Sequence, residues 1–230
     1  MIDLLTGQVD RVVLLAAHCD DLAIGVGATI TRLATACPRL RVDAVVLTGG
    51  GTPREAEERA AFARMCPDAD LRLRVHDLPD GRVPSHFDLA KDAIVAAREA
   101  GAGGLVFAAQ PADAHQDHRA VGQIAPTVFR DHLILGYEIL KWESDLPAVT
   151  AYQPIEAPAM HAKLAMIHDS YPSQAAHDWF DDEAFLGLAR IRGVQCHAPY
   201  AEAFTTSKLS LNLGGGPASE MPTPTRHDKG

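Results

Sequence analysis

The chain has 230 residues, 47% hydrophobic and 22% charged, an ordinary globular balance with enough apolar residues for one packed core. Its 21 basic and 30 acidic residues give a formal net charge of −9, a field that repels phosphate backbones and argues against nucleic acid as a partner. The four cysteines form no C-x-x-C pair, the segment "MIDLLTGQVDR" has no signal-peptide pattern, and no apolar run approaches the ~20 residues that span a bilayer, so a reduced, cytoplasmic protein is expected.

From Val9 to Ala17 and from Arg41 to Thr48, aliphatic and β-branched residues run almost unbroken, as in strands buried on both faces. Between them, Ile24, Ile30 and Leu33 recur at helical spacing. A second unit follows: a Pro-started, acid-rich helix over 53–65, a short strand near 71–75, and a helical stretch from Phe87 closed by Gly101. Gly104 to Ala109 reads as another buried strand, and "HRAVGQIAPTVFR" as the next helix, with an irregularity at Pro126. Alternating strands and helices predict an α/β fold, a three-layer, Rossmann-like parallel sheet flanked by helices. After Tyr137 the pattern loosens into irregular chain with short strands, then two helical stretches, "MHAKLAMIHDSYPSQ" and "DDEAFLGLARIRG", and a strand at "YAEAFTT". Met65, Met160 and Met166 read as core. The Gly- and Pro-rich residues 214–230 read as a tail without structure of its own.

In parallel α/β folds, function gathers beyond the carboxyl ends of the strands. "AHCDDL" follows the first predicted strand and "DAHQDHRAV" follows the strand ending at Ala109, so both clusters fall on one rim. Together they offer His18, Asp20, Asp21, Asp113, His115, Asp117 and His118, from which two imidazoles and a carboxylate can hold a metal with one position left open. An unligated carboxylate beside such an ion is placed to act as a base. Taken singly, either cluster reads as a helix cap or a surface pair. Their coincidence after two buried strands favours a metal site.

At these clusters the sequence resembles the PIG-L/LmbE-like de-N-acetylase family, whose motifs are A-H-P-D-D-E and H-P-D-H; here they stand as "AHCDDL" and "HQDH". The resemblance continues through "LTGGGTPREAEERAAFARM", "LPDG", "YEILKWESD", "SQ" and "RIRGVQCHAPYAEAF". It implies a single domain over 1–213, with the irregular α+β C-terminal portion completing the site. It also implies that His18, Asp21 and His118 hold one divalent metal, Zn²⁺ or Fe²⁺, that Asp20 is the general base, and that His115 stabilises the oxyanion and protonates the departing amine. Asp113 falls where the family often has an acid that orients His115. Three residues depart from the motifs: Cys19 and Gln116 replace prolines, and Leu22 replaces a glutamate.

The resemblance implies a hydrolase that removes an N-acyl group, acetyl first, from a small-molecule amino sugar. Arg54, Asp80, Asp113, Lys141 and Arg192 are the expected substrate contacts, with Trp142 and Glu202 in the same C-terminal resemblances. Removal of a formyl or longer acyl group, or sugar binding without turnover, are the alternatives. "GVGAT" at Gly25 invites a nucleotide-binding Rossmann reading, but it follows the aspartates and lacks the third glycine; Gly25 and Gly27 are expected to let their helix approach the first strand. The sequence leaves a homo-oligomer open.

Overall fold

The computed structural model describes residues 9–37, 39–99 and 104–209; residues 214–230, read above as a tail, lie outside them. The order of elements is β1 (Arg11–Ala16), α1 (Asp21–Ala36), β2 (Arg41–Thr48), α2 (Pro53–Met65), β3 (Asp70–Leu78), a 3-10 turn (Val83–His86), α3 (Phe87–Glu99), β4 (Leu105–Ala109), α4 (Gln116–Val128), β5 (Ile134–Tyr137), β6 (Ala151–Ile155), α5 (Ala157–Ser170), a second 3-10 turn (Pro172–Gln174), α6 (Asp182–Cys196) and β7 (Tyr200–Thr205).

The strands form one seven-stranded sheet in the order β3-β2-β1-β4-β5-β7-β6. Pairing is parallel from β3 through β5, as expected, whereas β7 pairs antiparallel with both β5 and β6. The sheet is therefore mixed, and its antiparallel edge is built from the portion where the sequence pattern loosens. Pro154 lies in β6, an edge strand, where a missing ladder N–H is tolerated.

All six residues of β1 are buried. Val12, Leu14 and Ala16 belong to one apolar cluster with residues of α1, α2, α5 and α6, while Val13, Leu15 and Ala17 belong to a second with residues of α3 and α4. Each fully buried aliphatic side chain contributes about 1.5–3 kcal/mol relative to exposure, so the central strand is held firmly and its end is a rigid support. Met65 and Met160 are core residues, and Met166 is only partly buried at the same cluster. Gly25 serves a close approach, but not to β1: an added Cβ would stand 2.6 Å from the Tyr137 ring on β5. Tyr137 in turn donates its hydroxyl to the Leu15 carbonyl of β1 at 2.9 Å. At Gly27 the nearest atom to such a Cβ is 3.4 Å away, so no close approach requires that glycine.

Candidate active site

Strand order reverses between β1 and β4, and at such a switch point the loops leaving the two strands diverge and open a crevice. The β1–α1 loop brings His18, Asp20 and Asp21 to this crevice, and the β4–α4 loop brings Asp113, His115, Asp117 and His118. The β3–α3 loop adds Asp80, and the chain after β5 adds Lys141.

The first loop is shaped by the Asp21 carboxylate. Its Oδ2 accepts the backbone N–H groups of Ala17 and His18 at 3.0 and 2.9 Å, which ties the start of α1 back to the end of β1. Oδ1 lies 3.1 Å from His118 Nε2, and Oδ2 lies 3.6 Å from His18 Nδ1. His18 Nδ1 and His118 Nε2 are themselves 3.1 Å apart. Two imidazole nitrogens and the Asp21 carboxylate thus converge from two loops. Their far sides are also held: His118 Nδ1 lies 3.3 Å from Asp113 Oδ2, and His18 Nε2 lies 3.3 Å from Asp117 Oδ2 and 3.1 Å from Asp80 Oδ1.

His115 is the N-cap of α4, where its Nδ1 accepts the Asp117 N–H at 3.3 Å. That bond leaves Nε2 as the protonated nitrogen of the neutral ring. Its ring stands 4.8 Å from that of His18 and 4.7 Å from that of His118, centre to centre. One ring nitrogen from each of the three histidines, His18, His115 and His118, falls within a mutual 4.8 Å, and the Asp21 carboxylate stands against two of them.

Asp20 has φ 109°, a left-handed conformation rare outside glycine, and stands at the N-cap of α1 without making a side-chain cap. Its Oδ2 instead takes the Arg54 guanidinium at 2.8 Å, and the same guanidinium bonds the Cys19 carbonyl. Arg54 is positioned by α2, whose N-terminus is capped by Thr52 after a turn with Gly49 and Gly51 at positive φ. Beneath Asp20 lies Glu58, fully buried, whose Oε2 accepts the Asp20 N–H at 3.0 Å and the Tyr171 hydroxyl at 2.6 Å.

The charges are tightly linked. Burial pulls His118 and His18 down, but Asp21 with Asp113 outweighs it at His118, raised to about 9, and Asp21 with Asp117 and Asp80 outweighs it at His18, raised well above its ordinary value. Burial lifts the Asp21 carboxyl, yet the two imidazoles hold it well below the usual range. Burial together with His118 and His18 lowers His115, which stays neutral. For Asp20, burial wins over Arg54 and raises the carboxyl to about 6; for Glu58, burial raises it to about 8.

The structure distributes the expected residues unevenly. His18, Asp21, His118, His115, Asp20 and Asp80 gather in the crevice. Asp113 is buried and serves His118, the His115 backbone N–H at 2.8 Å and Lys141 at 3.0 Å, so it orients His118 by its side chain and His115 only through the main chain. Lys141 is held between Asp113 and Asp145. Arg192 is buried and forked onto Glu138 at 2.7 and 2.6 Å, and none of its hydrogen bonds reaches the histidine cluster. Glu202 is buried with Lys163 beside α1, and Trp142 is 73% exposed. Cys19 packs in the core with its Sγ 3.7 Å from the Thr48 carbonyl, and Leu22 is core as well. Gln116, in place of a proline, donates to the Gly81 carbonyl at 3.3 Å.

Sequence reading gave Asp117 no role of its own and passed over Glu58 and Tyr171. Asp117 accepts the N–H groups of Gly81 and Val83 at 2.7 and 3.1 Å, which anchors the loop carrying Asp80. Its signal was present, a carboxylate between two candidate histidines. "GVGAT" lies inside α1, past the strand-to-helix turn where a dinucleotide fingerprint sits.

The sequence profile of the GlcNAc-PI de-N-acetylase family, PIG-L, matches residues 13–129, just over half of the chain. The chain belongs to the PIG-L family. The matched span runs from β1 to the residue after α4 and contains both loops of the crevice, which places the PIG-L signature on the site just described. Among curated proteins no relative matches the chain. Solved structures share the PIG-L fold at low identity. A conserved protein of Thermus thermophilus superposes with a TM-score of 0.67 at 23% identity, covering 91% of this chain and 100% of that one. The N,N'-diacetylchitobiose deacetylase of Pyrococcus horikoshii gives 0.67 at 20% identity over 86% of this chain and 84% of its own. The deacetylase of the A40926 pseudoaglycone gives 0.65 at 14% identity over 88% and 99%. Among the described residues, no helix is long and apolar enough to cross a membrane.

Proposed function

We propose that this PIG-L protein is a metal-dependent hydrolase that removes the acetyl group from an N-acetylated amino sugar. One observation carries the reading: His18 Nδ1 and His118 Nε2 lie 3.1 Å apart and each faces an oxygen of the Asp21 carboxylate, Oδ2 at 3.6 Å and Oδ1 at 3.1 Å, with the His115 ring beside them and Asp20 adjacent in the chain. A four-coordinate ion with bonds near 2.0–2.1 Å separates its ligands by about 3.3 Å, so the donor set fits a divalent cation such as Zn²⁺ or Fe²⁺. The electrostatics fit as well, because Asp21, Asp80, Asp113 and Asp117 surround the two imidazoles and favour positive charge between them. A bound ion supplies a water of lowered pKa and polarises the acyl carbonyl.

The chain's own groups supply the rest. Asp20, raised to about 6 and steadied by Arg54, is ionised near neutrality yet basic enough to take a proton from the attacking water. His115 enters neutral, and its Nε2–H is the donor for the developing oxyanion; such a donor lowers the barrier by about 3 kcal/mol. The proton that Asp20 took from the water is delivered to the amide nitrogen as its bond to the acyl carbon breaks, releasing a free amino sugar and acetate, while His115 keeps its Nε2–H on the oxyanion throughout. Asp80 and Arg54 are the residues assigned to the sugar, and 1–213 acts as one domain.

The family and the deacetylase neighbours support this class of reaction without fixing the sugar. The test is release of free amine and acetate from a panel of N-acetylglucosamine glycosides by zinc-loaded and chelator-stripped protein. Turnover by the loaded protein alone is expected. A loaded protein that hydrolyses none of the panel, while accepting an N-formyl or longer N-acyl analogue, overturns the acetyl assignment; one inert toward every N-acyl amino sugar overturns the reaction itself.

A further inference from the structure

The first turn of α1 leaves an unusual need at Asp20. In a common helix start, a Glu or Gln at the third helical position reaches back to the N–H of the capping residue. Here that position is Ala23, its neighbour is Leu22, and Asp20's own carboxylate is turned to Arg54. The Asp20 N–H is instead satisfied from another helix, by Glu58 of α2 at 3.0 Å. Glu55 and Glu57 of the same helix remain partly accessible, whereas Glu58 is 0% exposed. Burying a carboxyl group opposes folding unless its bonds repay it. Glu58 accepts from the Asp20 N–H and from the buried Tyr171 hydroxyl at the end of α5, both on Oε2.

The geometry points to Glu58, braced by Tyr171, as the positioning residue of the catalytic base: it fixes the left-handed backbone of Asp20, so that the carboxylate held by Arg54 meets the crevice in one orientation. This rests on the reading of Asp20 as the base. It also explains how the start of α1 carries Leu22 without losing support, because the acceptor is delivered from α2. Tyr171 links that support to α5, in the C-terminal portion of the chain.

The experiment is hydrogen–deuterium exchange at the Asp20 amide in the full-length protein, for wild type, Glu58→Gln, Glu58→Leu and Tyr171→Phe, beside kcat, KM and metal content. Glu58→Leu removes the acceptor of the Asp20 amide together with that of the Tyr171 hydroxyl; with its one hydrogen bond gone, the Asp20 amide is expected to exchange about tenfold faster, with kcat down about tenfold and KM and bound metal unchanged. Glu58→Gln keeps an acceptor oxygen and is expected to restore both readouts. The same Asp20 exchange in Glu58→Leu as in wild type, or equally fast exchange in Glu58→Gln and Glu58→Leu, overturns the assignment. If Glu58→Leu does not fold, Tyr171→Phe decides: faster exchange at Asp20 supports the brace, and unchanged exchange overturns it. Exchange needs no substrate, so a failed deacetylase assay condemns the proposed reaction and not this assignment.

Discussion

Asp113 holds the ring of His118: its Oδ2 lies 3.3 Å from Nδ1, leaving Nε2 facing Asp21 Oδ1 at 3.1 Å. A carboxylate behind a histidine fixes both the ring and its tautomer, and removing such a partner weakens metal binding by roughly 10 to 100-fold. Asp113→Ala is therefore expected to lose affinity for zinc by that factor, read by competition with a chromophoric chelator. Affinity equal to wild type would show that His118 does not depend on this support.

Asp20→Asn keeps the size of the side chain and a contact to Arg54 but removes the base. Turnover of an N-acetyl amino sugar is expected to fall by roughly 10²–10⁴-fold with metal content unchanged. A wild-type rate in this variant removes Asp20 from the mechanism.

His115→Ala tests the donor. None of the pairwise contacts among His18, Asp21 and His118 passes through this ring, so metal should remain while kcat falls about 10²–10³-fold. Lost metal would instead make His115 a ligand, a role its ring nitrogen is close enough to fill.

Metal-free protein should lose stability as pH rises. His118 titrates at about 9 when folded, against an ordinary 6.5, because Asp21 and Asp113 outweigh its burial. The stability from its imidazolium is complete below 6.5 and is lost as pH climbs through 9. Glu58, raised by burial from 4.5 to about 8, acts in the same direction. The thermal midpoint of chelator-treated protein is expected to fall between pH 6.5 and 9, and more steeply than that of zinc-loaded protein, in which the ion displaces the His118 proton. A midpoint that rises over this range contradicts the charge arrangement.

Much of this was legible in the sequence where burial is uniform. The range Arg41–Thr48 is β2 and 53–65 is α2 as read, because a doubly covered parallel strand is an unbroken aliphatic run and the helix carries its own Pro start. Both loops of the crevice were found for the same reason. β5 escaped because Ile134–Tyr137 is only four residues long. The antiparallel edge escaped because β6 contains Pro154 and β7 follows it only after two helices. Glu58 was hidden in "EAEER", one of three glutamates in a helix read only as acid-rich, and no local pattern marks it as the fully buried one. Arg192 was expected at the substrate and lies in a buried pair with Glu138, a partner fifty-four positions away that no local pattern signals.

The central claim is that His18, Asp21 and His118 together hold one metal ion. Elemental analysis of wild type beside His118→Ala, each stripped with chelator, reloaded and desalted, tests it most directly. The expected result is about one equivalent of zinc or iron in wild type and almost none in the variant. Equal metal in both proteins, or none in wild type after reloading, would contradict it.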